Sequence, residues 1–179
     1  SGSGKTSFAE AILHTTGVIS RLGTVSDGTT VSDFEAAEKD KGGSISLSVL
    51  HADHRGIRLH ILDAPGMADF IGEVATAVAP VETVVLCVKA GEGVTFVARR
   101  AWDLARKHGR AACVVVTHVD EDDVDFPSLV EDLGNSLDAR TVAVSLPDGT
   151  GKNFNGVKVV PFGGGEEDLA DAYATVVEA

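Results

Sequence analysis

The opening residues Ser1-Gly2-Ser3-Gly4-Lys5-Thr6 match the later part of a phosphate-binding loop, G-x-x-x-x-G-K-[ST]. In such a loop, glycines let backbone N–H groups close around phosphates, the lysine reaches the β- and γ-phosphates, and the threonine hydroxyl ligates Mg²⁺. A helix that starts here directs its positive end at the same anions. Taken alone, the match also fits a flexible terminus. As a functional motif, it predicts a nucleotide-phosphate site made of Gly2, Ser3, Gly4, Lys5, Thr6 and Ser7.

A second motif, Asp63-Ala64-Pro65-Gly66, comes directly after a predicted strand. In GTPases, the D-x-x-G carboxylate holds Mg²⁺ through water and the glycine N–H donates to the γ-phosphate. Glycine suits that position because the backbone must approach the phosphate closely. The same residues also suit an ordinary strand-end turn. Beside a lysine loop, however, they predict that Asp63 and Gly66 bind metal and phosphate.

The third motif, Thr117-His118-Val119-Asp120, also follows a predicted strand. GTPases place N-K-x-D here, and its aspartate accepts hydrogen bonds from guanine N1–H and the 2-amino group. Adenine offers no such pair of donors, so it would leave Asp120 without a partner. A solvated acidic turn is the alternative, because more acidic residues follow directly. The motif predicts guanine binding by Asp120, with Thr117 and His118 beside the base.

Predicted helices and strands alternate along the chain and place these motifs at strand ends. Apolar periodicity predicts helices over Thr6–His14, after Phe70, over Val94–His108, near Phe126–Leu137 and over Glu167–Glu178. Alternating or Val-rich runs predict strands over Ser44–His51, Ile57–Leu62, Val84–Val88, Ala112–Val116 and Thr141–Val144. A turn at His54-Arg55-Gly56 joins the first two strands in a hairpin. The residues from Val18 to Gly43 are expected to form a long loop with one short helical piece.

This alternation predicts an α/β fold, a doubly wound and mostly parallel sheet of the P-loop nucleotide-hydrolase type with one antiparallel hairpin. Ligand-binding loops of such a sheet lie at the strand ends. Two cysteines, Cys87 and Cys113, lie within Val-rich runs and are predicted to be buried strand thiols.

Composition limits the possible functions. The 179 residues carry a net charge of −12, which argues against general binding to DNA through the domain surface. No apolar run approaches the roughly 18–20 residues that cross a bilayer, and no signal peptide opens the chain. A cytoplasmic setting without membrane contact is therefore expected.

Several stretches resemble elongation factor G and its relatives among the translational GTPases. Asp27–Phe34 is similar to the stretch after the family's first helix, Lys41–Ser46 to its R-G-I-T-I-T switch segment, and Asp63–Phe70 to its D-T-P-G-H-x-D-F. Leu146-Pro147 and Phe154–Val157 are similar to the segment that leads into an insert within the GTPase domain.

The resemblance implies GTP or GDP as ligand, Mg²⁺ as cofactor, and the ribosome as partner of the full-length protein. It also implies a GTP-binding domain over residues 1–145 that lacks its first strand, followed by the start of the insert over 146–179. We accordingly expect the native protein to continue before Ser1 and beyond Ala179.

Departures from the family pattern bear on catalysis. Ser44 stands at the Mg²⁺-ligating switch threonine and keeps a hydroxyl, so it joins Thr6 and Asp63 in the predicted metal site. Met67 stands at the histidine that positions the attacking water, and a thioether cannot orient or deprotonate water. Losing such a group costs on the order of 10²–10⁴ in rate. Gly2 replaces an aspartate that the resemblance associates with a monovalent cation.

Thr117 and His118 replace the family's asparagine and lysine. Nucleotide binding is therefore expected to persist, whereas hydrolysis is expected to be slow or absent.

Two further groups of residues are expected to be solvated rather than functional. His51, His54 and His60 lie around the hairpin, but strand alternation does not force them onto one face, so exposed histidines are expected rather than a metal site. The acidic run between residues 121 and 125 is expected to be a solvated helix start, which the helix dipole favours.

Three interpretations stay open. The first is an elongation factor G-like protein that binds GTP with weak or no hydrolysis. The second is a working ribosome-stimulated GTPase: a translocase, a release factor or a ribosomal-protection protein. The third is a P-loop ATPase or kinase. Nucleotide preference separates the third from the others, and ribosome-stimulated phosphate release separates the first two.

Overall fold

A computed structural model describes residues 1–121 and 124–159 of the chain. The helices are α1 Lys5–Thr15, α2 Ala36–Lys41, α3 Ile71–Val78, α4 Phe96–Lys107 and α5 Phe126–Leu137. The strands are β1 Ser48–His54, β2 Ile57–Asp63, β3 Thr83–Lys89, β4 Ala111–Thr117, β5 Ser145–Asp148 and β6 Gly156–Val159. The helix expected over Glu167–Glu178 lies outside the described residues.

The chain divides into two compact units. The first consists of Ser1–Val88 and Phe96–Val115, and the second of Lys89–Thr95 and Val116–Ala179. In the part of the chain that the structure describes, no helix is long and apolar enough to span a bilayer.

The described strands pair as three two-stranded sheets, β1 with β2, β3 with β4, and β5 with β6. The predicted hairpin is confirmed, since β1 and β2 are antiparallel with Ser48 opposite Asp63 and His54 opposite Ile57. A single doubly wound sheet is not seen among the described residues, and it stays a prediction.

Strands β3 and β4 run parallel, as the sequence predicted for its two Val-rich runs. The N–H of Ala111, where β4 begins, donates to the carbonyl of Glu82, just before β3. At the other end, the N–H of Ala90 donates to the carbonyl of Thr117. Both strands therefore begin together and end together, which brings the loops that follow them to one edge.

Helix α1 begins where Gly4 adopts a left-handed conformation with φ 72°, and it is close to the predicted span. The buried residues are Thr6, Ala9, Glu10 and Leu13, a stripe at helical spacing. Ala9 and Leu13 pack against Leu50 and Ala52 of β1 in the core of the first unit.

The buried carboxylate of Glu10 holds the long loop that follows α1. It accepts hydrogen bonds from the N–H of Gly23 at 3.0 Å and of Val31 at 2.6 Å, and only 1% of the residue is exposed. A loop without regular structure must satisfy its backbone donors in some other way, and here a helix side chain supplies the acceptor. Glu10 thereby fixes the chain just before residues 32 and 33.

A second buried glutamate explains why β1 begins later than predicted. The carboxylate of Glu38, in the short helix α2, accepts from the N–H groups of Ile45 at 3.1 Å and Ser46 at 3.2 Å. The start of the predicted strand Ser44–His51 is therefore bonded to a side chain rather than to a neighbouring strand. The ladder begins at Ser48 instead.

Helix α5, in the second unit, matches the predicted span. Asp125 caps its start by accepting from the Ser128 N–H at 3.3 Å. Its buried face consists of Leu129, Leu133 and Leu137.

The strand predicted over Thr141–Val144 is wrong, because β5 begins only at Ser145. The hydroxyl of Thr141 donates to the carbonyl of Val130 at 2.9 Å, so this segment is tied to α5 rather than paired as a strand.

The two cysteines differ in exposure. Cys87 on β3 is buried, as predicted, and burial raises the pKa of its thiol to about 11. Cys113 on β4 is exposed, so the prediction of a buried thiol is wrong there. The apolar run around Cys113 could not reveal this, because a strand turns alternate residues to opposite faces.

We expect Glu10→Ala to loosen the loop that follows α1. The change removes the acceptor of two backbone donors, and unsatisfied donors of this kind cost roughly 1–3 kcal/mol. Urea unfolding would show the lower stability, and amide hydrogen exchange would show faster exchange at Gly23 and Val31. Glu10→Gln keeps one carbonyl acceptor, so its stability and its exchange rates should lie between those of the unmodified protein and those of Glu10→Ala. Unchanged protection in Glu10→Ala would contradict the assignment.

Candidate nucleotide-binding site

The opening loop of the first unit has the backbone that phosphate binding requires. Gly2 and Gly4 have φ values of 77° and 72°, in the left-handed region where a side chain is strained. The Lys5 ammonium lies 3.5 Å from the hydroxyl of Ser3, which is buried. Ser7 lies in the first turn of α1 and is exposed.

The lysine loop and the D-x-x-G motif meet at Gly66. A Cβ added there would collide with Nζ of Lys5 and would lie 3.1 Å from its Cε. A larger residue at this position would displace the lysine side chain from its place in this arrangement. Two motifs that are far apart in the sequence therefore contact each other.

Asp63, the last residue of β2, is buried and accepts two hydroxyl hydrogen bonds on the same oxygen. Thr6 Oγ1 donates to Oδ2 at 2.9 Å, and Ser32 Oγ donates to it at 2.7 Å. Burial raises the pKa of this carboxyl, while the two hydroxyls and the charge of Lys5 oppose that rise. Keeping the Asp63 carboxylate ionised next to the glycine-rich loop therefore costs desolvation free energy.

A second buried carboxylate, Asp33, faces the same group of oxygens. Ser44 Oγ donates to Asp33 Oδ1 at 2.6 Å and lies 3.2 Å from Thr6 Oγ1. The other oxygen, Asp33 Oδ2, is buried without a hydrogen-bond partner. The predicted metal residues Thr6, Ser44 and Asp63 are therefore brought together, with Asp33 beside them.

These oxygens suit a hard cation such as Mg²⁺, which prefers oxygen ligands. Each hydroxyl has one proton. The Thr6 hydroxyl donates its hydrogen bond to Asp63, and the Ser44 hydroxyl donates its hydrogen bond to Asp33. The two hydroxyl oxygens also lie 3.2 Å apart, where either could donate to the other. A cation held by these oxygens would also offset the unpaired oxygen of Asp33.

Ser32 and Asp33 are the site residues that motif reasoning missed. Both lie inside the stretch Asp27–Phe34, whose resemblance to the family was noticed without assigning a role to any residue. Ser32 also accepts the hydroxyl of Ser48 on its carbonyl at 2.7 Å, which ties it to the start of β1. An acidic residue within a polar loop gives no periodic signal, so its burial becomes visible only in three dimensions.

Met67 directly follows Gly66 and precedes a single 3-10 turn, Ala68–Phe70. It is half-buried and has an extended backbone with φ −89°. The carbonyl of Met67 accepts from the Phe70 N–H at 3.1 Å, which starts the turn that leads into α3. Its backbone thus has a structural role that does not depend on the side chain.

The third motif lies in the second unit. His118 has a left-handed backbone with φ 58°, and its Nδ1 lies 3.0 Å from the Thr117 hydroxyl. The N–H of Glu121 donates to the carbonyl of His118 at 3.2 Å and closes a turn. Asp120 occupies that turn and is exposed, so its carboxylate is accessible to a ligand.

The hairpin histidines are exposed, as predicted. His51 lies directly opposite His60, whereas His54 pairs with Ile57 and so lies on the other face. Over residues 1–121 and 124–159, no group of three or more His, Cys, Asp or Glu residues is placed to hold a metal ion.

Comparison with known proteins gives the family. The profile of the elongation factor Tu GTP binding domain matches residues 1–178. An elongation factor G-like protein of Mycobacterium tuberculosis is 32% identical over 84% of this chain. Elongation factor G 2 of Streptomyces coelicolor is 33% identical over 88% of the chain. The mitochondrial ribosome-releasing factor 2 of Bos taurus is 34% identical over 86% of it.

The chain spans 21%, 23% and 20% of the length of these relatives, respectively. A crystal structure of a protein from Thermus thermophilus superposes on 99% of this chain with a TM-score of 0.89 and 32% identity, and the chain spans 29% of it. The chain has the P-loop GTPase fold and belongs to the elongation factor Tu GTP-binding domain family of translational GTPases.

Proposed function

We propose that this chain is the guanine-nucleotide-binding domain of an elongation factor G-like translation factor that binds GTP or GDP with Mg²⁺ and hydrolyses GTP slowly. In this proposal, the full-length protein works in the cytoplasm on the ribosome, without a membrane or DNA partner. The observation that carries the proposal is the contact of Lys5 with Gly66 next to the buried oxygens of Thr6, Ser44 and Asp63.

The phosphate end of the site is built for negative charge and a cation together. The Lys5 ammonium and the backbone N–H groups of the glycine loop would bind the β- and γ-phosphates. Thr6 and Ser44 would hold Mg²⁺ through their hydroxyls, with Asp63 acting through water and Asp33 beside them. When bound, the cation would neutralise charge on the phosphates.

The base end of the site depends on one acidic residue. Asp120 would accept from guanine N1–H and the 2-amino group, while Thr117 and His118 would lie beside the base. An adenine ring lacks that pair of donors, so its binding would leave a desolvated carboxylate without partners. This mismatch favours GTP over ATP and argues against an ATPase or kinase.

Slow hydrolysis follows from the chemistry of Met67. A water molecule that attacks the γ-phosphate must be held in line, and the family places a histidine here to do so. The thioether of Met67 offers no donor and only a weak acceptor. Ground-state binding would therefore be retained while transition-state stabilisation is reduced.

The alternative is an active ribosome-stimulated GTPase. It is favoured by the intact Lys5 and Gly66 contact and by the set of oxygens around Asp63, which leave in question only groups that act in hydrolysis, at the positions of Met67 and Gly2. A group supplied by the ribosome or by another part of the protein would then orient the water.

We expect Asp120→Asn to change the base preference from guanine to xanthine. The new amide N–H can donate to the carbonyl that replaces the 2-amino group of guanine. Titration with fluorescent GTP, XTP and ATP measures the three affinities. Lys5→Ala serves as a control, because it should weaken all of them. Equal affinity of the unmodified protein for GTP and ATP would contradict the guanine assignment.

We expect Asp63→Asn to raise the Tm of the nucleotide-free protein at pH 7 by a few degrees. Burial raises the pKa of Asp63, so its ionised form destabilises the fold. That cost is absent below the ordinary pKa of the carboxyl, grows as the pH rises from the ordinary pKa to the raised one, and is fully present above the raised pKa. Each ~1 kcal/mol shifts the Tm of a domain this size by roughly 2–4 °C.

The same Asp63→Asn variant should gain less stability than the unmodified protein when GTP and Mg²⁺ are added together. Asp69→Asn is the matched control, because it removes one charge from an exposed position. It should change neither the Tm of the nucleotide-free protein nor the stability gained with GTP and Mg²⁺. A lower Tm of the nucleotide-free Asp63→Asn protein would contradict the proposed electrostatics.

We expect Met67→His to raise ribosome-stimulated GTP turnover, by up to the ~10²–10⁴-fold that a positioned base contributes. Nucleotide affinity should hardly change, because the missing interaction is made only in the transition state. Phosphate release measured with and without ribosomes tests this. Ala68→His places the same side chain one residue further on, at an exposed position, and should have no effect. If the unmodified protein already turns over as fast as a working translocase, slow hydrolysis is wrong and the active-GTPase alternative holds.

A further inference from the structure

One ion pair in the second unit joins the last residue of β3 to the loop that follows β4. Lys89 Nζ lies 3.0 Å from Glu121 Oε1. The two side chains are 26% and 45% exposed, so the pair is only partly open to solvent. Glu121 directly follows Asp120, the residue assigned to guanine, and none of the three nucleotide motifs accounts for the pair.

Backbone bonds on both sides place this pair at the base of the turn that presents Asp120. The N–H of Ala90, next to Lys89, donates to the carbonyl of Thr117 at 3.0 Å. The N–H of Glu121 donates to the carbonyl of His118 at 3.2 Å. The turn that contains Asp120 is therefore held where it begins by a strand bond and where it ends by the ion pair.

The turn needs such support. His118 has a left-handed backbone with φ 58°, which few residues other than glycine adopt. Asp120 itself is exposed, so burial does not fix its carboxylate. A carboxylate that must meet two donors on one base edge gains from being held in place before the base arrives.

The partner loop is itself well anchored. The carbonyl of Lys89 accepts from the N–H groups of Glu92 at 3.0 Å and Gly93 at 3.1 Å. A Cβ added to Gly91 would lie 4.0 Å from Glu121 Oε2, so this loop also runs beside the glutamate. Lys89 thus has a fixed backbone from which its side chain restrains Glu121.

We infer that Lys89 and Glu121 are a positioning pair that holds Asp120 in place to read the guanine edge and thereby increases guanine specificity. The inference rests on the proposed function, since it assigns a role to the neighbours of Asp120. The ion pair compensates for a turn that has His118 where the family pattern has lysine.

Inosine triphosphate separates this role from general stabilisation. It keeps the N1–H of guanine but lacks the 2-amino group, so it can form only one of the two hydrogen bonds to Asp120. A displaced Asp120 loses two bonds to GTP but only one to ITP. The ratio of GTP affinity to ITP affinity therefore reports on the position of Asp120, whereas overall loss of stability would weaken both nucleotides equally.

The experiment is a double-mutant cycle on the full-length protein, with titrations of GTP, ITP and ATP. Lys89→Glu and Glu121→Lys should each lower GTP affinity by roughly two- to fivefold, the effect expected from the loss of a partly exposed ion pair. Each should also lower the GTP-to-ITP ratio. The double variant restores an ion pair of reversed polarity and should recover both values, and Lys89→Arg should retain them.

Lys158→Glu is the matched control, because it breaks an ion pair of 3.3 Å with Asp148 elsewhere in the same unit. It should leave the ratio unchanged. An unchanged ratio in both single variants, or a double variant as poor as the singles, would overturn the positioning role while GTP preference over ATP still stands. If the unmodified protein shows no such preference, the proposed function fails and this inference fails with it.

Discussion

The site depends on two buried carboxylates that are hydrogen-bonded to hydroxyl groups and not to cationic side chains. Asp63 and Asp33 are both buried, and the hydroxyls that bond to them come from three separate chain segments: Thr6 in α1, Ser32 in the long loop and Ser44 before β1. Hydroxyls can share a carboxylate's charge but cannot neutralise it. The first unit therefore gathers buried oxygens that a bound cation would help to neutralise.

That arrangement depends in turn on how the irregular segment between α1 and β1 is held. It has little regular structure, so it would lose its position if its backbone donors had only water as partners. Buried Glu10 and Glu38 act as local acceptors: Glu10 fixes the segment at residues 23 and 31, and Glu38 fixes it at residues 45 and 46. Because both anchors are side-chain hydrogen bonds rather than a strand ladder, each contributes a modest free energy.

Sequence reasoning succeeded where the signal was local and failed where it was not. The spans of α1, α4 and α5 and the hairpin followed from periodicity and turn residues, and the first two motifs predicted from residue types at fixed spacing lie in contact. Their roles in nucleotide binding, and that of the third motif, stay predictions. The late start of β1 depends on the contact of Glu38 with Ile45. The predicted strand over Thr141–Val144 does not form, because Thr141 is bonded to Val130 of α5.

Such contacts link residues that share no pattern, so composition and spacing could not predict them. The roles of Asp33 and Lys89 were missed for the same reason. An acidic residue in a polar loop and a lysine at a strand end look like ordinary solvated charges until the fold places an unpaired carboxylate oxygen or an ion pair there.

The balance between binding and turnover follows from which groups these contacts include. Every described hydrogen bond among Thr6, Ser44 and Asp63 is made without the side chain of Met67. The backbone of Met67 still starts the turn into α3, so we expect a change of this side chain to leave the oxygens of Thr6, Ser44 and Asp63 in place. In the function proposed above, the buried oxygens and Lys5 would hold the substrate, and the side chain of Met67, next to Gly66, would set the rate at which it reacts.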